Sequence, residues 1–111
     1  MATRSNIYVE NEEGYIGAYS HYDGYPEHMI EQLQFLSPEE TLEYILVGGA
    51  KGGFRLFSPI AGETEYLNED SRYIYDPEEE YGSPDYIYIK RLDGSIRWRM
   101  CDIRTGEWKI E

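Results

Sequence analysis

The 111 residues carry 22 acidic and 10 basic side chains, a formal net charge of −12, with 41% of residues apolar and 15% aromatic. That length suits a single domain, 1–111. The apolar content is too high for a disordered acidic tail, and the charge argues against direct binding to nucleic acid. No apolar run reaches the roughly 18–20 residues of a membrane span, and Met1–Asn6 leads into strand-like sequence without the apolar stretch of a secretory signal. The single cysteine, Cys101, suits a reducing cytoplasm and leaves no internal disulfide.

In chain order, Ile7-Tyr8-Val9 and Tyr15 to Tyr22 are strand formers joined by Asn11-Glu12-Glu13-Gly14, which reads as a β-hairpin. Asp23-Gly24-Tyr25-Pro26 breaks the second strand, and Pro26 fits the first turn of a short helix running through Phe35. Met29, Ile30, Leu33 and Phe35-Leu36 give that helix its apolar stripe. Ser37-Pro38-Glu39-Glu40 is a capping box: Ser37 caps, Pro38 takes the first helical position, and Glu40 reaches back. Leu42, Ile45 and Leu46 form one face of this second helix, and Gly48-Gly49 ends it.

The glycines from Gly48 to Gly53 do not make a phosphate loop, because no Gly-Lys-Ser/Thr triplet follows and a helix precedes them. They read as a connector. Phe54-Arg55-Leu56-Phe57 and Arg72-Tyr73-Ile74-Tyr75 read as brief strands, within or beside an acidic, tyrosine-rich insert, 58–85.

The last quarter is the strongest β sequence. Asp93-Gly94 predicts a two-residue hairpin turn, which places Leu92 opposite Ser95, Ile89 opposite Trp98 and Ile87 opposite Met100 on one apolar face. A bulge at Gly106 brings Trp108 and Ile110 to the same face. The expected fold is therefore α+β. It is a small antiparallel sheet, made of the N-terminal hairpin and a C-terminal three-strand meander, with one or two short helices packed on one face.

The charge is unevenly placed. Residues 1–85 hold 18 acids and four bases, a net of −14, whereas 86–111 hold six bases and four acids. Glu63 to Asp85 carries nine carboxylates against Arg72 alone. Such self-repulsion costs stability, which is explained either by solubility or by a cationic partner.

Candidate chemistry is thin. His21 and Asp23, followed by Glu27, His28 and Glu31, match no metal-ligand spacing, and no nucleophile has a matched base. The reading is that the chain is not an enzyme and has no metal or other cofactor. The twelve tyrosines say more: Tyr73, Tyr75, Tyr81, Tyr86 and Tyr88 interleave with the acidic run, and tyrosine gives interfaces rigid contact area at low entropic cost.

Tyr19-Ser20-His21-Tyr22-Asp23-Gly24-Tyr25-Pro26-Glu27 resembles a motif of small bacteriophage and prophage proteins, in which it reads Tyr-Cys-His-Trp-Asp-Gly-Tyr-Pro-Glu. The same family is similar in its Thr3-Arg4-Ser5 start and its tyrosine-rich and tryptophan-bearing final strands. Ser20 and Tyr22 depart from the pattern, so no thiol role carries over. The resemblance implies a phage origin and no particular reaction.

With that origin, the acidic surface reads as a nucleic-acid mimic. The expectation is a phage-encoded inhibitor that acts in the host cytoplasm by steric occlusion. Its partner is a host protein with a basic nucleic-acid-binding surface, such as a CRISPR or restriction effector. Its contact surface is expected to comprise Glu63, Glu65, Glu69, Asp70, Tyr73, Tyr75, Asp76, Glu78, Glu79, Glu80, Tyr81 and Asp85. The alternative is a small ligand-binding or oligomeric accessory module that works through the turn His21, Asp23, Gly24, Tyr25, Pro26 and Glu27.

Overall fold

A computed structural model of the chain describes residues 3–20, 24–50, 73–101 and 106–111, the last four of 24–50 by backbone alone. Strand β1 (Ser5–Asn11) turns through Glu12-Glu13 into β2 (Gly14–Ser20), and the Asn11 side-chain carbonyl accepts the Glu13 N–H at 2.8 Å. Helices α1 (Pro26–Gln34) and α2 (Pro38–Ala50) follow, then β3 (Tyr86–Lys90), β4 (Ile96–Met100) and the short β5 (Lys109–Ile110). The small α+β architecture is the one expected.

The five strands lie in the order β2-β1-β3-β4-β5. Ser5 pairs with both Ser20 and Tyr86, so β2 ends and β3 begins at the same end of β1. The chain therefore re-enters parallel to β1, and this one parallel pair joins the hairpin to the C-terminal strands in a mixed sheet.

Both faces of the sheet are covered. On one, Ile7 and Val9 of β1, Ala18 of β2, Tyr88 of β3 and Ile96 and Trp98 of β4 pack with Met29 and Leu33 of α1 and Ile45 of α2. On the other, Tyr8, Ile87 and Ile89 pack with Ile74, flanked by Tyr15, Tyr81, Cys101 and Trp108.

The helices follow their sequence signals with two corrections. The capping box forms as expected: the Glu40 N–H donates to Ser37 Oγ at 3.1 Å and the Ser37 N–H to Glu40 Oε1 at 2.9 Å. However, α2 runs through Gly48-Gly49 to Ala50, and of its expected face Ile45 is buried and Leu42 packs against the core, whereas Leu46 is exposed and Thr41 is buried instead. Phe35 leaves the α1 stripe: it is the helix C-cap and stands 75% exposed, while Leu36 takes the buried position. The C-terminal end of α1 contains no basic residue, and Lys90 of β3 supplies one. Its buried ammonium donates to the carbonyls of Leu33 and Gly94, each at 2.8 Å, and burial holds its pKa below the ordinary lysine value.

The β3–β4 hairpin differs from expectation by one residue. Its loop has three residues, Leu92-Asp93-Gly94, with the Gly94 N–H donating to Arg91 O and the Arg91 N–H to Ser95 O, both at 2.8 Å. Gly94, at φ +90, is the bulge residue after a type I turn, and the Asp93 carboxylate fixes that turn by accepting the Ser95 N–H and hydroxyl. Tyr88 consequently faces Trp98, Tyr86 faces Met100 and Lys90 faces Ile96, while Ile87 and Ile89 face Arg99 and Arg97. The expected register gathers the apolar residues on one face, which is right only if the other is solvated. Here Ile87 and Ile89 are buried on the second face and Tyr88 and Trp98 on the first.

Trp108 and Ile110 are corrected for the same reason. Ile110 pairs with Arg97, and Trp108 lies with its ring 4.4 Å from the Arg97 guanidinium carbon, so both join the second face. Lys109 takes the first face, its ammonium 5.2 Å from the centroid of the Trp98 ring.

Candidate functional site

The second face of the sheet is covered by residues 73–85, the described part of the acidic insert. Of the expected strand Arg72–Tyr75, Arg72 lies outside the described residues and 73–75 make a single bridge. Gly17 donates to Ile74 O at 2.7 Å and Ile74 to Gly17 O at 3.0 Å. Gly17 also makes room for Tyr8, since a Cβ there would lie 2.5 Å from Ile7 O and 2.6 Å from the Tyr8 ring. Tyr8, lying across the missing side chain, donates its hydroxyl to Asp76 O at 2.9 Å. Burial, then the neighbouring Asp76 and Glu79 carboxylates, raise its pKa well above the ordinary tyrosine value.

The rest of the segment is a succession of short turns. Asp76 accepts the Glu78 N–H on its side chain and the Glu79 N–H on its carbonyl, each at 3.0 Å. The Ser83 N–H donates to Glu80 O at 3.1 Å, and Tyr81 meets Tyr19 edge to face at 6.3 Å. The segment is tied down at its end by Asp85, whose carboxylate accepts the Arg4 N–H at 3.0 Å and whose carbonyl accepts the Cys101 N–H at 2.9 Å.

Of the expected contact residues, eight lie in this segment, and the structure separates them by role; Tyr73 packs against the first-face core and not the second. Asp76, Glu78 and Glu79 are exposed, as is Tyr75 at 62%. Glu80 is half-neutralised by Arg99, whose Nη1 lies 3.2 Å from Glu80 Oε2. Tyr73 and Tyr81 are half-buried, with the Tyr73 hydroxyl donating to Leu46 O at 2.7 Å. Asp85 is a structural tie. Glu63, Glu65, Glu69 and Asp70 lie outside the described residues, as do the expected strand Phe54–Phe57 and the N-terminal part of the insert.

The motif turn is described from Gly24 onward, and its residues there serve the fold; His21 and Asp23 lie outside the described residues. Gly24 donates to Thr3 O at 3.0 Å and accepts the buried Tyr88 hydroxyl at 2.6 Å, which joins the turn to β1 and β3. Pro26 is the first residue of α1, and Tyr25 supplies the carbonyl that accepts the His28 and Met29 N–H groups. Glu27 is the exposed acid of the first helical turn. Among the described residues, no three His, Cys, Asp or Glu side chains are placed to hold a metal ion. Among them too, no helix is long and apolar enough to cross a membrane.

Sequence reasoning missed Tyr8, Gly17 and Arg99 as the residues that seat the acidic segment. The alternation Ile7-Tyr8-Val9 contains the signal for Tyr8, since it points a large aromatic to the face opposite the apolar pair. No family model, curated protein or solved structure matches the chain.

Proposed function

We propose that the protein is an acidic inhibitor of phage origin that occupies the basic nucleic-acid-binding surface of a host protein, by mimicry and steric occlusion. It acts in the host cytoplasm, without a catalytic reaction or cofactor of its own. The observation that carries this reading is the fixed display of Asp76, Glu78 and Glu79 beside exposed Tyr75, on a segment anchored through Ile74, Asp76 O and Asp85. Anchoring spares the partner the entropy of ordering a loop, and exposed carboxylates attract a surface built for a duplex carrying one charge per about 1.7 Å. Tyrosines alongside supply the desolvated contacts that charge alone lacks.

The test is competition. Partner recovered from the host on immobilised protein should be displaced by duplex DNA, and its retention should fall steeply as salt rises. The variant D76N/E78Q/E79Q/E80Q should keep the fold and lose retention. Equal retention of the partner by this variant, or no competition by nucleic acid, overturns the reading.

A further inference from the structure

A cavity of about 220 Å³ opens beside the acidic turns, and its lining is unusual for a solvated acidic loop. Tyr8, Tyr73, Ile74, Tyr75 and Tyr81 line it together with Asp76 and Glu79. The volume is below the roughly 300 Å³ at which pockets begin to hold whole drug-sized ligands, and it suits the end of one side chain. Tyr8 lies fully buried at the base, the Glu78 N–H holds the Asp76 carboxylate, and the Asp76 carbonyl accepts the Glu79 N–H. Tyr75, 62% exposed, stands at the rim.

An aromatic face carries negative potential, and a cation over it gains more as it loses water. A carboxylate beside the rings adds attraction of the same sign. We propose that this cavity receives one protonated arginine or lysine side chain of the partner, its cation over the exposed Tyr75 ring and countered by Asp76 and Glu79. The inference rests on the reading above for the source of the cation and names the chemistry by which the partner is gripped.

The probes are N-acetyl-arginine methylamide, N-acetyl-lysine methylamide and the neutral norleucine counterpart, titrated into the intact protein with ring-labelled tyrosine followed by NMR. At least one charged probe should saturate, moving the Tyr73, Tyr75 and Tyr81 rings, and the neutral probe should bind more weakly. The order of the two charged probes identifies the partner residue. Y75A should weaken the charged probes by about two- to fivefold, the range for an exposed cation–π contact. E79Q should weaken them and leave the neutral probe unchanged. Both substitutions are at exposed positions, and the comparison of probes on the unaltered protein needs neither. Equal binding of the neutral probe, no saturation by either cation, or unchanged affinity in Y75A overturns the inference. Partner retention that still depends on Glu78 and salt would then stand by itself.

Discussion

Gly24→Ala tests how tightly the motif turn is packed into the fold. A Cβ at this position would lie 2.7 Å from Ser5 Oγ, 2.8 Å from Ser5 Cβ and 2.8 Å from Thr3 O. All three are shorter than real contacts tolerate, and Ser5 cannot retreat, because it is fully buried and pairs with both Ser20 and Tyr86. The turn must therefore move, stretching the 2.6 Å bond from the Tyr88 hydroxyl to Gly24 O. Overpacking costs about 1–3 kcal/mol and a weakened buried hydrogen bond about 1 kcal/mol more. The entropy removed from the unfolded chain returns about 0.4–1 kcal/mol. The net expectation is a loss of about 1–3 kcal/mol, or roughly 4–12 °C in melting temperature for a domain near this size. Urea and thermal unfolding of G24A, Y88F and the double variant measure it. The double variant should lose less than the sum of the two, since both act on one bond. A G24A protein within about 0.5 kcal/mol of the parent would refute the steric argument.

Two further outcomes follow from the same geometry. Ser37→Ala removes the acceptor of the Glu40 N–H and should lower stability by about 1 kcal/mol, with the urea midpoint falling at constant slope; an unmoved midpoint would show that the cap is idle. Burial raises the pKa of both Tyr8 and Tyr88 well above the ordinary value near 10. Their hydroxyls stay protonated in the folded protein where those of the unfolded chain ionise, so the unfolded state binds fewer protons and stability falls as pH rises above about 10. Each hydroxyl removes about 1.4 kcal/mol per pH unit there, and Y88F should reduce the slope by that amount. Phenolate absorbance should show the last tyrosines ionising only with unfolding, and a complete titration near pH 10 with the fold intact would contradict this.

Legibility followed the range of each interaction. The capping box at Ser37 and Glu40 and the Pro26 helix start are local, and they formed where the sequence placed them. The β3–β4 register depends on what covers the second face, which is settled by Ile74 and Tyr8, far from Asp93-Gly94 in sequence. Once both faces are buried, segregation of Ile87, Ile89, Trp98 and Met100 no longer selects a register, and the Asp93–Ser95 bonds with Gly94 at positive φ decide it. At the candidate site, the exposure of Asp76, Glu78 and Glu79 agrees with a reading by charge alone. The different fate of Asp85, drawn into the backbone of Arg4, required the parallel pairing of β1 with β3.

The division of charge in the sequence becomes a juxtaposition in space. Glu80 reaches Arg99, and Arg97 and Arg99 lie against Trp108, on the face that the acidic segment covers. The basic C-terminal strands thus offset part of the insert, leaving Asp76, Glu78 and Glu79 as the display. What seats the segment is mostly neutral: a backbone bridge at Gly17 and Ile74, a phenol on a carbonyl, and apolar contact between Ile74 and Tyr8. Exposed ion pairs such as Arg99–Glu80 are weak and screened by salt, whereas buried neutral hydrogen bonds are not. Raising ionic strength should therefore strip the attraction between the display and a basic partner while the display itself stays in place. A salt titration of binding then reads the interface and not the unfolding of the segment that forms it.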